Sequence, residues 1–138
     1  MSLMHRCALL LAASVATATA GAQGCGSDLG DKTVRIENPL YVLAYVARPS
    51  PIALGRNFTL DFAICPRPGV PLPQSVRIAA TMPEHRHGMN YRPVLTEPRP
   101  GTWHVEGMLF HMAGRWELAF ELIDGNRVER LTGAVLIE

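Results

Sequence analysis

Side chains able to bind a soft or borderline metal ion are confined to one window of this sequence. From residue 23 onward, all four histidines (His85, His87, His104, His111) and all four methionines (Met82, Met89, Met108, Met112) lie between positions 82 and 112. They form two groups, Met82-Pro83-Glu84-His85-Arg86-His87-Gly88-Met89-Asn90-Tyr91 and His104 to Gly114, on either side of the turn-forming Pro98-Arg99-Pro100-Gly101. Imidazole suits copper, zinc, iron and nickel, whereas a thioether is a soft ligand that favours Cu(I). Methionine is not among the usual ligands of zinc. A mixed His/Met set in a chain with an export signal therefore points to copper before zinc, with Cu(I) favoured and Cu(II) the alternative.

The first ligands to consider are His85, His87 and Met89. In an extended His85-Arg86-His87 the two imidazoles project to the same side, and Gly88 would let the chain turn so that Met89 approaches them. On a second strand His104, Glu106 and Met108 are expected on one face, opposite Trp103, Val105 and Leu109, with His111 and Met112 at the following turn. Met112, His111 and His104 would complete the shell if the two groups meet at one end of the fold. Each has a plainer reading: Met108 or Met112 could fill the core, His104 could face Glu106 on the surface, and His111 could be held by backbone carbonyls.

The elements that must position these residues start after an N-terminal leader. Arg6 precedes Cys7 to Ala22, a run of 16 apolar and small residues ending in Ala18-Thr19-Ala20 and Ala20-Gly21-Ala22. This reads as a signal peptide over residues 1–22, the run being shorter than the roughly 20 apolar residues of a spanning helix. A periplasmic or secreted location follows, with no membrane span in the mature chain. Removing Arg6 from the 13 basic residues leaves 12 against 12 acidic ones, so there is no cationic surplus for nucleic acid or an anionic membrane. Two cysteines remain, Cys25 and Cys65, and in an exported domain they are expected to pair across a loop of about 40 residues. The competing reading, lipid attachment at Cys25, is opposed by the unfavourable Ala22-Gln23-Gly24 before it.

Residues 23–32 read as a flexible lead-in and 33–138 as one domain. The clearest strands are Phe58–Cys65, with Phe58, Leu60, Phe62 and Ile64 on one face, and Arg115–Leu122, with Trp116, Leu118, Phe120 and Leu122 on one face. Weaker runs are Thr33–Glu37, Leu40–Ala47, Val76–Ala80, Thr102–Leu109 and Val128–Ile137, separated by Pro/Gly turns. About seven short strands with a core tryptophan indicate an all-β, immunoglobulin-like antiparallel β-sandwich.

Two segments, Met82-Pro83-Glu84-His85-Arg86-His87-Gly88-Met89 and Gly107-Met108-Leu109-Phe110-His111-Met112-Ala113-Gly114-Arg115-Trp116-Glu117-Leu118, resemble the YtkA-like domain family of exported bacterial β-sandwich proteins, with Ala113 where proline is common. The resemblance covers roughly residues 33–138. It implies a small periplasmic immunoglobulin-like module, similar to the extracytoplasmic part of FixH-type proteins of copper oxidase assembly, although this chain has no spanning helix after its leader. A membrane oxidase or another copper-handling protein is the partner it implies.

Enzymatic readings find no support in motifs: there is no Gly-x-Ser-x-Gly elbow, no His-Glu-x-x-His helix and no free cysteine once Cys25 and Cys65 pair. The expected function is copper carriage or chaperoning for delivery or tolerance, without catalysis. The alternative is a structural or interaction module in which Met89-Asn90-Tyr91 docks a partner and metal is incidental.

Overall fold

A computed structural model describes residues 24–138; the expected signal peptide lies outside the described residues. Nine strands and no helix make up this part of the chain: β1 (Val34–Glu37), β2 (Tyr41–Arg48), β3 (Asn57–Pro66), β4 (Ser75–Met82), β5 (His87–Gly88), β6 (Val94–Arg99), β7 (Thr102–Leu109), β8 (Gly114–Asp124) and β9 (Arg127–Ile137). They form two antiparallel sheets, ordered β1-β2-β3-β7-β6 and β5-β4-β8-β9. All seven expected strands are present. The two additions, β5 and β6, lie at sheet edges, where a two-residue strand and the Pro98 of β6 are tolerated because an edge needs fewer ladder bonds.

Period-two alternation builds the core. The expected faces of β3 and β8 all point between the sheets: Phe58, Leu60, Phe62 and Ile64 from one, Trp116, Leu118, Phe120 and Leu122 from the other, each at most 4% exposed. Phe62 meets Phe120 edge-on at 5.2 Å between ring centroids, which ties the sheets together.

β2 is buried without interruption from Tyr41 to Val46 because both its faces are covered. Tyr41, Leu43 and Tyr45 enter the core between the sheets, while Val42 and Ala44 join Cys25 and Ala63 in a smaller cluster on the outer side. The cover is the segment from Gly24 onward, within the lead-in expected over residues 23–32. Consecutive turns, with Ser27 N donating to Gly24 O and Leu29 N to Gly26 O, fold it onto the sheet. Arg35 Nε donates to the Cys25 carbonyl (3.0 Å) and Arg48 to the Leu29 carbonyl (2.9 Å). The Cys25–Cys65 disulfide forms as expected, so Cys25 has no thiol left for acylation.

β7 departs from simple alternation. Its register against β3 runs from Leu60↔Val105 to Phe58↔Met108, three residues on β7 for two on β3. Gly107, at φ +79°, absorbs the extra residue as a β-bulge of the kind that puts glycine in the left-handed region. Met108 therefore turns inward, fully buried, instead of sharing the outer face with His104 and Glu106, and Leu109 is only half-buried. A Cβ at Gly107 would also lie 3.3 Å from the Arg92 carbonyl oxygen. Gly107→Val is expected to destabilise the fold by about 2 kcal/mol from left-handed strain on a β-branched residue, measured as a lower urea midpoint at unchanged m-value.

Candidate metal centre

Antiparallel pairing brings two loops to the same end of the sandwich. β4 ends where β8 begins, with Thr81 opposite Glu117, so the β4–β5 turn (Pro83–Arg86) and the β7–β8 connection (Phe110–Ala113) are neighbours. The first carries His85 and leads into His87 of β5, and the second carries His111 and Met112.

The turn is not extended. His85 N and Arg86 N both donate to the Met82 carbonyl, at 3.1 and 2.9 Å, and Arg86 takes φ 55°, the left-handed region otherwise reserved for glycines among the described residues. Arg86, and not Gly88, reverses the chain, after which His87 pairs opposite Met82 and Gly88 opposite Thr81. Partners directly opposite in a sheet project to the same side, and because Met82 is buried, His87 leans toward the interior as well.

Two imidazoles, His87 and His111, stand on Trp116, and His85 lies beside His87. Ring centroids of His85 and His87 are 5.9 Å apart, and those of His87 and His111 are 5.3 Å apart. Both His87 and His111 stand nearly perpendicular to the Trp116 ring, at 5.9 and 5.5 Å. Trp116 is itself fully buried against Phe110, and its indole N–H donates to the Met112 carbonyl at 2.9 Å, which pins the loop that carries His111. The Met82 methyl lies beneath, 2.7 Å from where Gly114 would place a Cβ, so Gly114 leaves room for it.

The nitrogens are disposed differently. His87 Nδ1 is 3.2 Å from the Gly88 carbonyl oxygen; with the proton on Nδ1 this is a hydrogen bond that leaves Nε2 as the free lone pair. His111 Nδ1 is buried with no hydrogen-bond partner, a position that polar atoms rarely hold without a ligand or water. Two imidazoles on one tetrahedral ion, with bonds of about 2.0 Å, have centroids about 5 Å apart. The His87–His111 spacing of 5.3 Å is close to that, and the His85–His87 spacing of 5.9 Å is wider. Among the described residues no group of three or more His, Cys, Asp or Glu side chains already stands around a common point, so a bound ion would draw the rings inward.

Sequence spacing had proposed six ligands, and the structure gathers three of them. Met112 is next to His111 and 37% exposed. Met89 packs against the core and lines a shallow groove with Ile78, Ala80 and Tyr91, because it follows His87 at period two on the inward face and reaches apolar neighbours there.

His104 is elsewhere. It projects from the outer face of the five-stranded sheet, directly opposite Asp61, with Nδ1 2.6 Å from Asp61 Oδ1. Four residues, one of them the bulged Gly107, separate it from Leu109, roughly 13–17 Å along the strand at about 3.3 Å per residue. The hydrogen bond to Asp61 raises the His104 pKa; partial burial opposes this, and the charges of Asp61 and Glu106 reinforce it. For Asp61 burial alone would raise the pKa, but hydrogen bonds from His104 and Arg48 and their charges bring it below the ordinary value.

The pair therefore stabilises the fold with two limits. The His104 contribution is complete below about pH 6.5 and is lost as pH rises through its raised pKa; the Asp61 contribution is present above about pH 4 and is lost as pH falls through its lowered one. Both groups are partly exposed, so well under 1 kcal/mol is expected. The stability difference between wild type and His104→Gln should be larger at pH 5.5 than at pH 9, read from denaturation midpoints.

Trp116 is the site residue that ligand spacing did not reveal, although its place in the core was legible. No protein-family model, curated protein or solved structure matches this chain.

Proposed function

We propose that this protein is an exported copper carrier that binds one ion at the end of the sandwich through His85, His87 and His111, with Met112 as the adjacent thioether. The observation that carries the reading is the His87–His111 contact at 5.3 Å between two loops, together with the buried, unpartnered Nδ1 of His111. Imidazoles from separate loops over an aromatic floor have little packing reason to converge, and an ion between them would satisfy the orphaned nitrogen. Met89 and His104 are left out of this set. Mechanistically the chain's own groups do three things: the Gly88 carbonyl orients His87, Trp116 anchors the His111 loop, and exposed His85 and Met112 offer ligands from which an acceptor can withdraw the ion. Copper, when bound, supplies the cargo and no chemistry on a substrate. A periplasmic location, and a membrane oxidase or other copper-handling protein as recipient, complete the reading.

The test is an anaerobic Cu(I) titration against a chromophoric competitor, with a parallel Cu(II) titration and tag-free protein. One-to-one binding is expected, abolished in His85→Ala/His87→Ala and weakened at least tenfold in His111→Ala, with the β-sheet circular dichroism unchanged. Tryptophan fluorescence should be quenched by copper in Trp103→Phe, where Trp116 is the only indole. Binding no tighter than micromolar in both oxidation states would refute the carrier and favour a partner-docking module presenting Tyr91, which is 52% exposed.

A further inference from the structure

The histidine that stands apart from the copper cluster has a geometry of its own. His104 and Asp61 are directly opposed across β7 and β3 on the outer face of the five-stranded sheet. Asp61 Oδ1 accepts from His104 Nδ1 at 2.6 Å, and its other oxygen accepts from Arg48 Nε at 2.9 Å. Asp61 is thus fully engaged behind the ring, and the neutral imidazole keeps its proton on Nδ1 and its lone pair on Nε2.

In front of the ring stands Glu106, two residues along the same strand face. His104 Nε2 is 3.6 Å from Glu106 Oε1, beyond the 2.7–3.2 Å of an N–H···O hydrogen bond. Two ligand atoms on a single tetrahedral ion, each bonded at about 2.0–2.1 Å, are about 3.4 Å apart. The 3.6 Å gap is the spacing of a wide ion pair when the ring is protonated, and a cation bonded to both atoms would draw them slightly together. Glu106 follows His104 at period two, ahead of the Gly107 bulge, and so stands on the same outer face, 68% exposed. A carboxylate behind a histidine and an open nitrogen in front is the arrangement by which proteins orient metal-binding imidazoles.

We infer that His104 Nε2 and a Glu106 carboxylate oxygen form a second, solvent-open site for a borderline divalent cation of the zinc or copper(II) class, with Asp61 as its positioning residue. One imidazole and one carboxylate favour such an ion over soft Cu(I), for which, among the described residues, there is no thioether or thiolate on this face. Water fills the remaining coordination positions. The site shares no residue with the cluster at the end of the sandwich and does not depend on copper carriage there.

The experiment is a ZnCl2 titration of the tag-free protein carrying His85→Ala, His87→Ala and His111→Ala, followed by calorimetry and by imidazole nitrogen NMR. One equivalent of zinc is expected, with the His104 Nε2 resonance shifting much more than Nδ1. Adding His104→Ala should abolish it, and Glu106→Gln should weaken it at least tenfold. Asp61→Asn should weaken it by 10–100-fold while zinc still shifts Nε2 alone, a signature that simple loss of folding would not produce. Absence of binding up to millimolar zinc in the triple variant would overturn the site. So would an affinity indifferent to Glu106→Gln, or a zinc-shifted nitrogen on any residue other than His104.

Discussion

Trp116→Ala is expected to cost about 3–5 kcal/mol of stability and to abolish copper binding with it. The indole is the largest fully buried side chain of the core, so truncation removes its transfer free energy and leaves a cavity between Phe110 and the two imidazoles that stand on it. Because domain stability is typically about 5–15 kcal/mol, that substitution alone could unfold the protein. Trp116→Phe separates the two effects: a ring still fills most of the volume, but the Met112 carbonyl loses its indole donor, at a cost of about 1 kcal/mol, and the His111 loop loses its anchor. Folded Trp116→Phe should bind Cu(I) at least tenfold more weakly than wild type. Undiminished affinity would mean that the tryptophan only fills space.

The second large effect is at the other end of the molecule. Replacing Cys25 and Cys65 by serine should lower stability by about 4 kcal/mol, the chain-entropy value for a 40-residue loop. The loss includes a local component, since release of the Gly24 segment uncovers Val42, Ala44 and Ala63. Denaturation of oxidised and reduced protein provides the measurement, and coincident midpoints would show that the strap stays down without its covalent tie. Copper stoichiometry should not change while the reduced protein remains folded. Cys65 is at the end of β3 opposite to Asn57, whose partner Leu109 leads into the His111 loop.

Much of the architecture is legible because one rule, alternation on a half-buried strand, suffices for it. β3 and β8 obey that rule over their whole length, and Cys25 and Cys65, the two cysteines among the described residues, have only each other to pair with. β2 is harder to read, since apolar residues on both faces erase the period; only the strap, which reads as polar and turn-rich, explains the second face. β6 is hidden by Pro98, and β5 is too short to leave a pattern.

The candidate site was legible in composition more than in geometry. Concentration of His and Met in one window identifies three imidazoles that do gather, but spacing along the chain does not tell which loops share an end of a sandwich. Two local errors have physical causes. His85-Arg86-His87 reads as extended, whereas backbone hydrogen bonds to Met82 wind it into a turn. Met108 reads as a neighbour of His104 because alternation was continued through Gly107. A lone glycine inside a strand pattern is the signal that could have warned of a bulge.

That bulge has a further consequence for how the chain can change. It divides β7 into two independent reading frames: His104 and Glu106 face outward in one, while Met108 and Phe110 face inward in the next and deliver His111 to the mouth of the sandwich. A single-residue deletion at Gly107 would merge the frames. Glu106 would then precede Met108 directly, and one continuous alternation would keep His104 and Glu106 outside and Met108 and Phe110 buried. Substitutions upstream and downstream of the bulge can accumulate without disturbing one another, and loss of the extra residue is a change of length that alternation itself absorbs.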